Sequence, residues 1–558
     1  MWTQNYDPFG LWPLSTLAAA LPVLVLLGLL AWGHLPAWKA ALAGLMTAAA
    51  LAVGAFGMPP QMALASAGVG LVFALFRIVW LIIAAVFLYD IAVATGQFAV
   101  MESSIAGLSG DRRIQAVLVA FCFGAFIEGA AGFGAPVAIS AAFLVGLGFP
   151  PAKAALLCLI ANTAPVAWGS VGIPIRTLAQ VTALDIEALS ATSGRILPPL
   201  SLIIPAWLVI TLAGWRGALG IWPALLVIGG TFAFVQFAWS NFVGFELVDI
   251  VSAVASLAAG VILLKVWRPK DLWQFDGETG LAPHAQSRID NPLTAARVFK
   301  AWMPFAVMTV AVLAWGTPAV KSAIDRTTSW NLEMPGLHKA VVKGPAVGGP
   351  ASPTRDDGEK AILEIVPVSA TGTAVFLSAT LSGLLLGVSP ARQILMLAAT
   401  TRRLLPAFGA IFSMLALGFV TKYSGMDAVL GLAFTRTGVW LYPLFGTLLG
   451  WLGVALTGSD TASNVLFGNL QVITARKLGL SPILMAAANT TGGVMGKMID
   501  AQSIVVAAAA TGEQGHEGQL LRAVFWHSLA LALLVGAIVW TFAHLTPGLV
   551  ALPAAALP

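Results

Sequence analysis

The sequence predicts an all-α polytopic membrane protein with inverted-topology repeats: about 12 transmembrane helices plus two re-entrant hairpins, with helices discontinuous at the midplane. The prediction rests on composition, on the length and spacing of the apolar runs, and on a motif that recurs in the second half. Of the 558 residues, 59% are apolar and 9% charged, against about 25% charged in a soluble domain. Such a chain cannot cover itself with a water-facing surface. Its 57 Gly and 32 Pro are tolerated inside membrane helices, where neighbouring segments satisfy the freed backbone groups. We therefore read 1–558 as one integral membrane domain in a lipid bilayer.

Apolar stretches able to cross a hydrocarbon core of about 30 Å lie at 14–32, 37–57, 64–94, 154–180, 196–213, 218–240, 247–266, 298–316, 367–388, 404–421, 482–510 and 523–545. Two more, 114–149 and 440–475, are interrupted by Gly132-Phe133-Gly134-Ala135-Pro136 and by Gly458-Ser459-Asp460-Thr461. Each is a re-entrant hairpin or a pair of tight spans, and either way the chain returns to the side it left. No Lys or Arg precedes Lys39, so the first apolar run lacks the basic region of a signal peptide and is expected to be a retained span. Tryptophans near span ends, such as Trp215 and Trp302, read as interfacial anchors.

Segments 267–297 and 317–366 are loops that flank one span and so face opposite compartments. The first, extended to 265–300, carries six basic and four acidic residues; the second carries six of each. The basic excess places 267–297 in the cytoplasm and 317–366 outside. Lys39, Arg112-Arg113, Lys153, Arg216, Arg392 with Arg402-Arg403, and Arg522 then fall inside, while Glu246 and Asp249 fall outside. Arg195, Lys422 and Arg476-Lys477 run against the trend.

The net charge of +5 is spread over loops without the clustered basic face that nucleic acid needs, so no nucleic-acid partner is expected. Cys122 and Cys158 sit in apolar runs and offer neither a disulfide framework nor a CxxC metal site. No GxxxxGK[ST], HExxH or GxSxG occurs. This removes the usual sequence support for ATP-driven transport, a zinc peptidase or a serine hydrolase, and no cofactor or metal is expected.

Ala161-Asn162-Thr163 with Gly169 recurs as Ala488-Asn489-Thr490 with Gly496, at one spacing. Gly132 and Gly458, in the two interruptions, and Gly96 and Gly425, ending the preceding spans, are separated by nearly the same distance along the chain. Repeat one covers about 76–180 and repeat two about 404–510. In the topology above the hairpins open from opposite sides, so the repeats are inverted, which points to a secondary transporter.

After each Asn the helix is expected to fail, at Pro165, Gly169, Gly172 and Pro174 in the first half and at Gly492-Gly493 and Gly496 in the second. Half-helices aim bare N–H groups and positive dipole ends at the midplane, where a small anion can bind. The candidate substrate-binding residues are Gly132, Gly134, Asn162, Thr163, Gly458, Ser459, Asn489 and Thr490. Their neutral donors and acceptors can hold a carboxylate and a hydroxyl; the competing reading for each Asn or Thr is a helix cap or interhelical glue. Ionisable groups at membrane depth are functional candidates by default. Glu128, just before the first tip, is the first choice for carrying a proton, with Asp460 and Asp500 as further proton-coupling candidates. Lys497 is expected to pair with Asp500 three residues on. Asp90 and Arg77 are read as snorkelling, and His527 as structural.

The segments Asn5-Tyr6-Asp7-Pro8, Glu128-Gly129-Ala130-Ala131-Gly132-Phe133-Gly134-Ala135-Pro136, Asn162-Thr163-Ala164-Pro165, Leu456-Thr457-Gly458-Ser459-Asp460-Thr461 and Ala488-Asn489-Thr490-Thr491-Gly492-Gly493 resemble the bacterial L-lactate permease family, from the N-terminus to the last span. The resemblance implies uptake of L-lactate, with D-lactate and glycolate, by proton symport across the bacterial inner membrane. Its partners would be a small monocarboxylate anion and a proton. The twin Asn-Thr motifs are more distantly similar to the Ser-Asn-Thr pairs of divalent-anion sodium symporters, which implies an elevator-type carrier and a homodimer. Here alanine stands in place of that serine in both copies, which fits protons better than a sodium site. Asp500-Ala501 replaces the Ser-Pro expected in the permease family. The alternatives are a sodium-coupled dicarboxylate or citrate carrier, which would want a second cation in the breaks, and a polytopic membrane enzyme, which would need a nucleophile and base or facing aspartates.

Overall fold

The computed structural model describes residues 1–31, 35–130, 132, 135–275, 294–347, 358–513 and 516–551. Punctuation residues set the helix limits. Prolines at the first positions open Pro60–Ala94, Pro151–Ala161, Pro198–Gly220, Pro318–Thr328, Pro390–Ser424 and Pro482–Gly496, where the missing N–H is not needed and φ is pre-set. Glycines with positive φ follow Pro390–Ser424, Gly438–Thr457, Asp460–Leu478 and Ala501–Thr511, closing them as left-handed caps.

Among the described residues, nine helices are long and apolar enough to cross a bilayer, or ten if the bent pair Pro151–Ala161 and Val166–Thr182, at 65°, is one span. The apolar stretches 14–32, 37–57 and 367–388 fall on the shorter apolar helices Trp12–Leu26, Trp38–Gly54 and Thr371–Leu385. The stretch 404–421 is part of the 35-residue helix Pro390–Ser424. Segment 482–510 is two helices, Pro482–Gly496 and Ala501–Thr511.

The interrupted stretches form helical pairs. Arg112–Ala130 leads through the first tip to Ala135–Gly146, and Gly438–Thr457 leads through Gly458 and Ser459 to Asp460–Leu478. Among those nine helices Arg112–Ala130 is the most enclosed, buried along its length, against 28% for Ala295–Trp315. Its start is fixed by buried polar chemistry, not by a loop in water. The guanidinium of Arg113 pairs with Asp111 at 2.6 Å and donates to the carbonyls of Gly217 and Asp271, while Arg112 donates to Leu147 O at 2.6 Å. Part of the basic signal used for topology is therefore structural.

Segment 317–366 has structure of its own. Pro318–Thr328 is helical, Trp330–Glu333 pairs antiparallel with Ile362–Ile365, and Val341–Val342 pairs parallel with Trp2–Thr3. The N-terminal strand thereby ties this segment to the helical body, with Gln4 Nε2 donating to the carbonyls of Lys422 and Tyr423. Lys422, Arg476 and Lys477, three of the four exceptions to the charge trend, meet Lys343 around one cavity in this region. Asp90 does not snorkel. It pairs with Arg403 at 2.8 Å and accepts from Thr400, joining two long helices. His527 Nδ1 accepts from Trp207 Nε1 at 2.9 Å, a structural role.

Candidate functional site

Two tips and two helix breaks meet around one cavity. The first tip follows Glu128, with Gly132 at φ +55°; Gly134 lies outside the described residues. The second tip turns at Gly458, φ +74°, and restarts at Ser459, whose hydroxyl accepts from the N–H of Ala462 as an N-cap. The first break has two parts. The helix ends at Ala161, a turn and a short 3-10 segment Val166–Trp168 follow, and Ser170, Val171 and Gly172 then adopt left-handed φ of 47°, 59° and 78°. Left-handed backbone costs of order 1–3 kcal/mol at a non-glycine residue, and such strain clusters at ligand sites.

The second break comes at the last of the expected glycines, Gly496, and not at Gly492-Gly493. Pro482–Gly496 runs unbroken through Asn489, Gly492 and Gly493, and the interruption falls at 497–500. The reason is packing. A Cβ on Gly492 or Gly496 would strike the backbone of Thr447 or Trp451, and one on Gly450 would strike that of Asn489. These glycines let Gly438–Thr457 and Pro482–Gly496 approach closely, as small residues do between membrane helices. The helix restarts at Asp500, whose Oδ1 accepts from Ser503 N at 2.8 Å.

The cavity, of about 80 Å³, is lined by Glu128, Ser170, Ser459, Asp460, Lys497 and Gln502 together with Gly169, Pro174 and Gly458. A cavity needs only about 10–15 Å³ on this measure to hold one water, so there is room for a molecule of a few heavy atoms. A larger groove of about 300 Å³ between Leu202, Trp215 and Trp222 is almost wholly apolar and has no group for an anion.

Glu128 is enclosed by glycines. A Cβ on Gly169 would come within 2.6 Å of its Oε1 and one on Gly132 within 3.4 Å. Its Oε2 has no hydrogen-bond partner among the described residues. Asn162 lies beside it, 3% exposed, with both amide atoms also unpartnered among those residues. Across the cavity, Asp460 accepts from Thr490 Oγ1 and, at 3.4 Å, from Asn464 Nδ2, while its Oδ1 has no partner among the described residues. Lys497 Nζ donates to Gly458 O at 2.7 Å and pairs with Asp500 Oδ2 at 3.2 Å.

The sequence-predicted residues therefore divide. Glu128, Gly458, Ser459, Asp460 and Lys497 line the cavity; Asp500 stands behind Lys497, and Thr490 behind Asp460. Asn489 is spent on structure: its Nδ2 donates to Asn464 Oδ1 at 2.9 Å and its Oδ1 accepts from Gln471 Nε2 at 3.2 Å. Thr163 donates to Ile160 O within its own turn. Ser170, Asn464 and Gln502 were not anticipated. Ser170 had a signal, since it follows Gly169 as Lys497 follows Gly496 in the recurring motif.

The model of the L-lactate permease family matches residues 15–546. The chain belongs to that family. It is 44% identical to the glycolate permease GlcA of Escherichia coli K12, over 98% of this chain and 99% of that one, and 43% identical to the L-lactate permease of Bacillus subtilis 168, over 96% and 97%. Among solved structures it resembles the YdaH transporter of Alcanivorax borkumensis, at 14% identity and TM-score 0.42, covering 84% of this chain and 86% of that one. Family membership and the long apolar helices make this a multi-pass membrane protein of a transporter family, and its cavity is read below as a transport site.

Proposed function

We propose that the protein takes up L-lactate, and with it D-lactate and glycolate, by proton symport across the bacterial inner membrane. Membership of the L-lactate permease family and the close relatives named for lactate and glycolate support the substrate class. Inverted repeats at about 76–180 and 404–510, moving as an elevator between the two faces, are the accompanying architecture.

The observation that carries the coupling is the charge of the cavity. Glu128, Asp460 and Asp500 meet one cation, Lys497, which is already paired with Asp500. A carboxylate substrate entering beside ionised Glu128 and Asp460 would be repelled by about 4 kcal/mol per charge at 4 Å and an effective dielectric of 20. Protonation removes that repulsion. It also turns the unpartnered Glu128 Oε2 and Asp460 Oδ1 into groups able to donate to the substrate carboxylate. Anion and proton then enter together, while Ser170, Ser459, Asn162 and Gln502 supply neutral contacts for the hydroxyl and carboxylate.

The test is uptake of labelled lactate by proteoliposomes under an imposed pH or sodium gradient. Alkalinisation of the medium on adding lactate is expected; transport that depends on sodium and ignores pH would overturn the coupling.

A further inference from the structure

Asp249, in the first turn of Val248–Val266, is a further buried carboxyl, outside the cavity lining, and is used by nothing described so far. It is 1% exposed, and neither side-chain oxygen has a hydrogen-bond partner among the described residues. An acid in the first turn of a helix ordinarily accepts from bare N–H groups; this one does not. Leaving a buried polar group unsatisfied costs about 1–3 kcal/mol even when neutral, and much more when charged. Such groups call for a functional explanation.

Its surroundings supply one. A Cβ on Gly129 would come within 2.8 Å of Asp249 Cβ and 3.0 Å of Ile250 N, so Asp249 packs against the residue next to Glu128. Glu128 is also the charged group that acts on it electrostatically. One turn further on, Ser252 Oγ is likewise buried and unpartnered. Three residues before, Glu246 lies at a partly exposed rim, its side chain 23% accessible and paired with Arg176 at 3.3 Å. The groups bearing on Asp249 from its neighbouring elements are therefore Glu128 on Arg112–Ala130, and Arg176 on Gly169–Thr182. Arg176 is committed to Glu246, to Thr371 at 2.8 Å and to the ring of Phe245. Trp222–Phe242 contributes no titratable side chain.

We propose that Asp249 is a proton-relay residue, passing protons between the rim at Glu246 and Glu128. The O–H bond of the Asp249 carboxyl breaks as its proton moves, directly or through one water, to a Glu128 carboxylate oxygen. The Asp249 carboxylate is then reprotonated from the aqueous rim. This inference rests on the proton-symport reading above.

The experiment compares two rates in proteoliposomes, net lactate uptake driven by a pH gradient and lactate counterflow at equal pH. Exchange needs no net proton delivery. In Asp249→Asn, driven uptake is expected to fall at least tenfold while counterflow stays within about twofold of the unsubstituted protein, and Asp249→Glu should restore driven uptake in part. Undiminished driven uptake in Asp249→Asn overturns the relay. So does equal loss of both rates from monodisperse protein, which would assign Asp249 to packing or to the substrate site. Should the Asn variant not be recovered folded, Asp249→Ser is measured by the same pair of rates. Absence of proton-driven uptake in the unsubstituted protein would instead refute the symport reading.

Discussion

Asn162 and Asn489 occupy matched positions in the sequence, yet their surroundings differ in kind. Asn489 is fully engaged, holding Asn464 and Gln471 between two tightly packed helices, and Gln471 in turn accepts from the Tyr442 hydroxyl at 2.8 Å. Removing it strands buried partners, which costs about 1–3 kcal/mol. Asn489→Ala should therefore lower the thermal unfolding midpoint in detergent, and an unchanged midpoint would contradict the network. Asn162 has no hydrogen-bond partner among the described residues to strand. Asn162→Ala should leave the midpoint unmoved and raise the KM for lactate about three- to tenfold, the value of one ordinary hydrogen bond. Glu128→Gln keeps the shape of the side chain and removes its titration. Driven accumulation should drop at least tenfold with exchange retained, and accumulation at the unsubstituted level would remove Glu128 from the coupling.

At the scale of elements, glycine has two opposite uses that sequence does not distinguish. Gly458 turns a tip with positive φ, whereas Gly450, Gly492 and Gly496 seat one helix against another. Gly450→Val should accordingly abolish recovery of monodisperse protein, because its side chain would enter the backbone of Asn489. Gly10→Ala makes the comparison sharp: Gly10 has positive φ but open space around it, so the protein should be recovered with only a small loss of stability. Equal recovery of both variants would refute the close packing. This dual role explains what could be read in advance. The long apolar runs, both interruptions and the near-constant offset between tips were legible, because a bilayer demands about 20 apolar residues per span and tolerates polar, Gly-rich sequence only with cause. Gly496 marked the second break, but Gly492-Gly493 was misread as part of it because such a pair reads equally as a helix breaker and as a packing surface. Gln502 carries no composition anomaly and became visible only when the breaks were seen together, whereas Ser170 was marked only by its place after Gly169 in the recurring motif. The strands of segment 317–366 are two to four residues long, too short to leave a period.

For the molecule as a whole, the charge inventory of the cavity sets what can drive transport. Lys497 and Asp500 form a neutral pair, and with Asp460 holding its proton throughout, ionised Glu128 leaves the empty site at −1. One proton on Glu128 and one bound monocarboxylate leave the site at −1 again, so the translocated load of anion plus proton is neutral. The membrane potential, which contributes about 2.3 kcal/mol per charge per 100 mV, then does no direct work. Initial uptake into proteoliposomes should be unchanged, within about a factor of two, when a potassium diffusion potential of either sign is imposed at equal pH. An inside-alkaline pH gradient of one unit is worth about 1.4 kcal/mol per proton, so it should sustain about tenfold accumulation of lactate. Acceleration by an inside-negative potential would mean more than one proton per anion, and slowing would mean fewer. A second proton would fall to Asp460, the other carboxyl lining the cavity, and Asp460→Asn would be the first substitution in which to repeat the measurement.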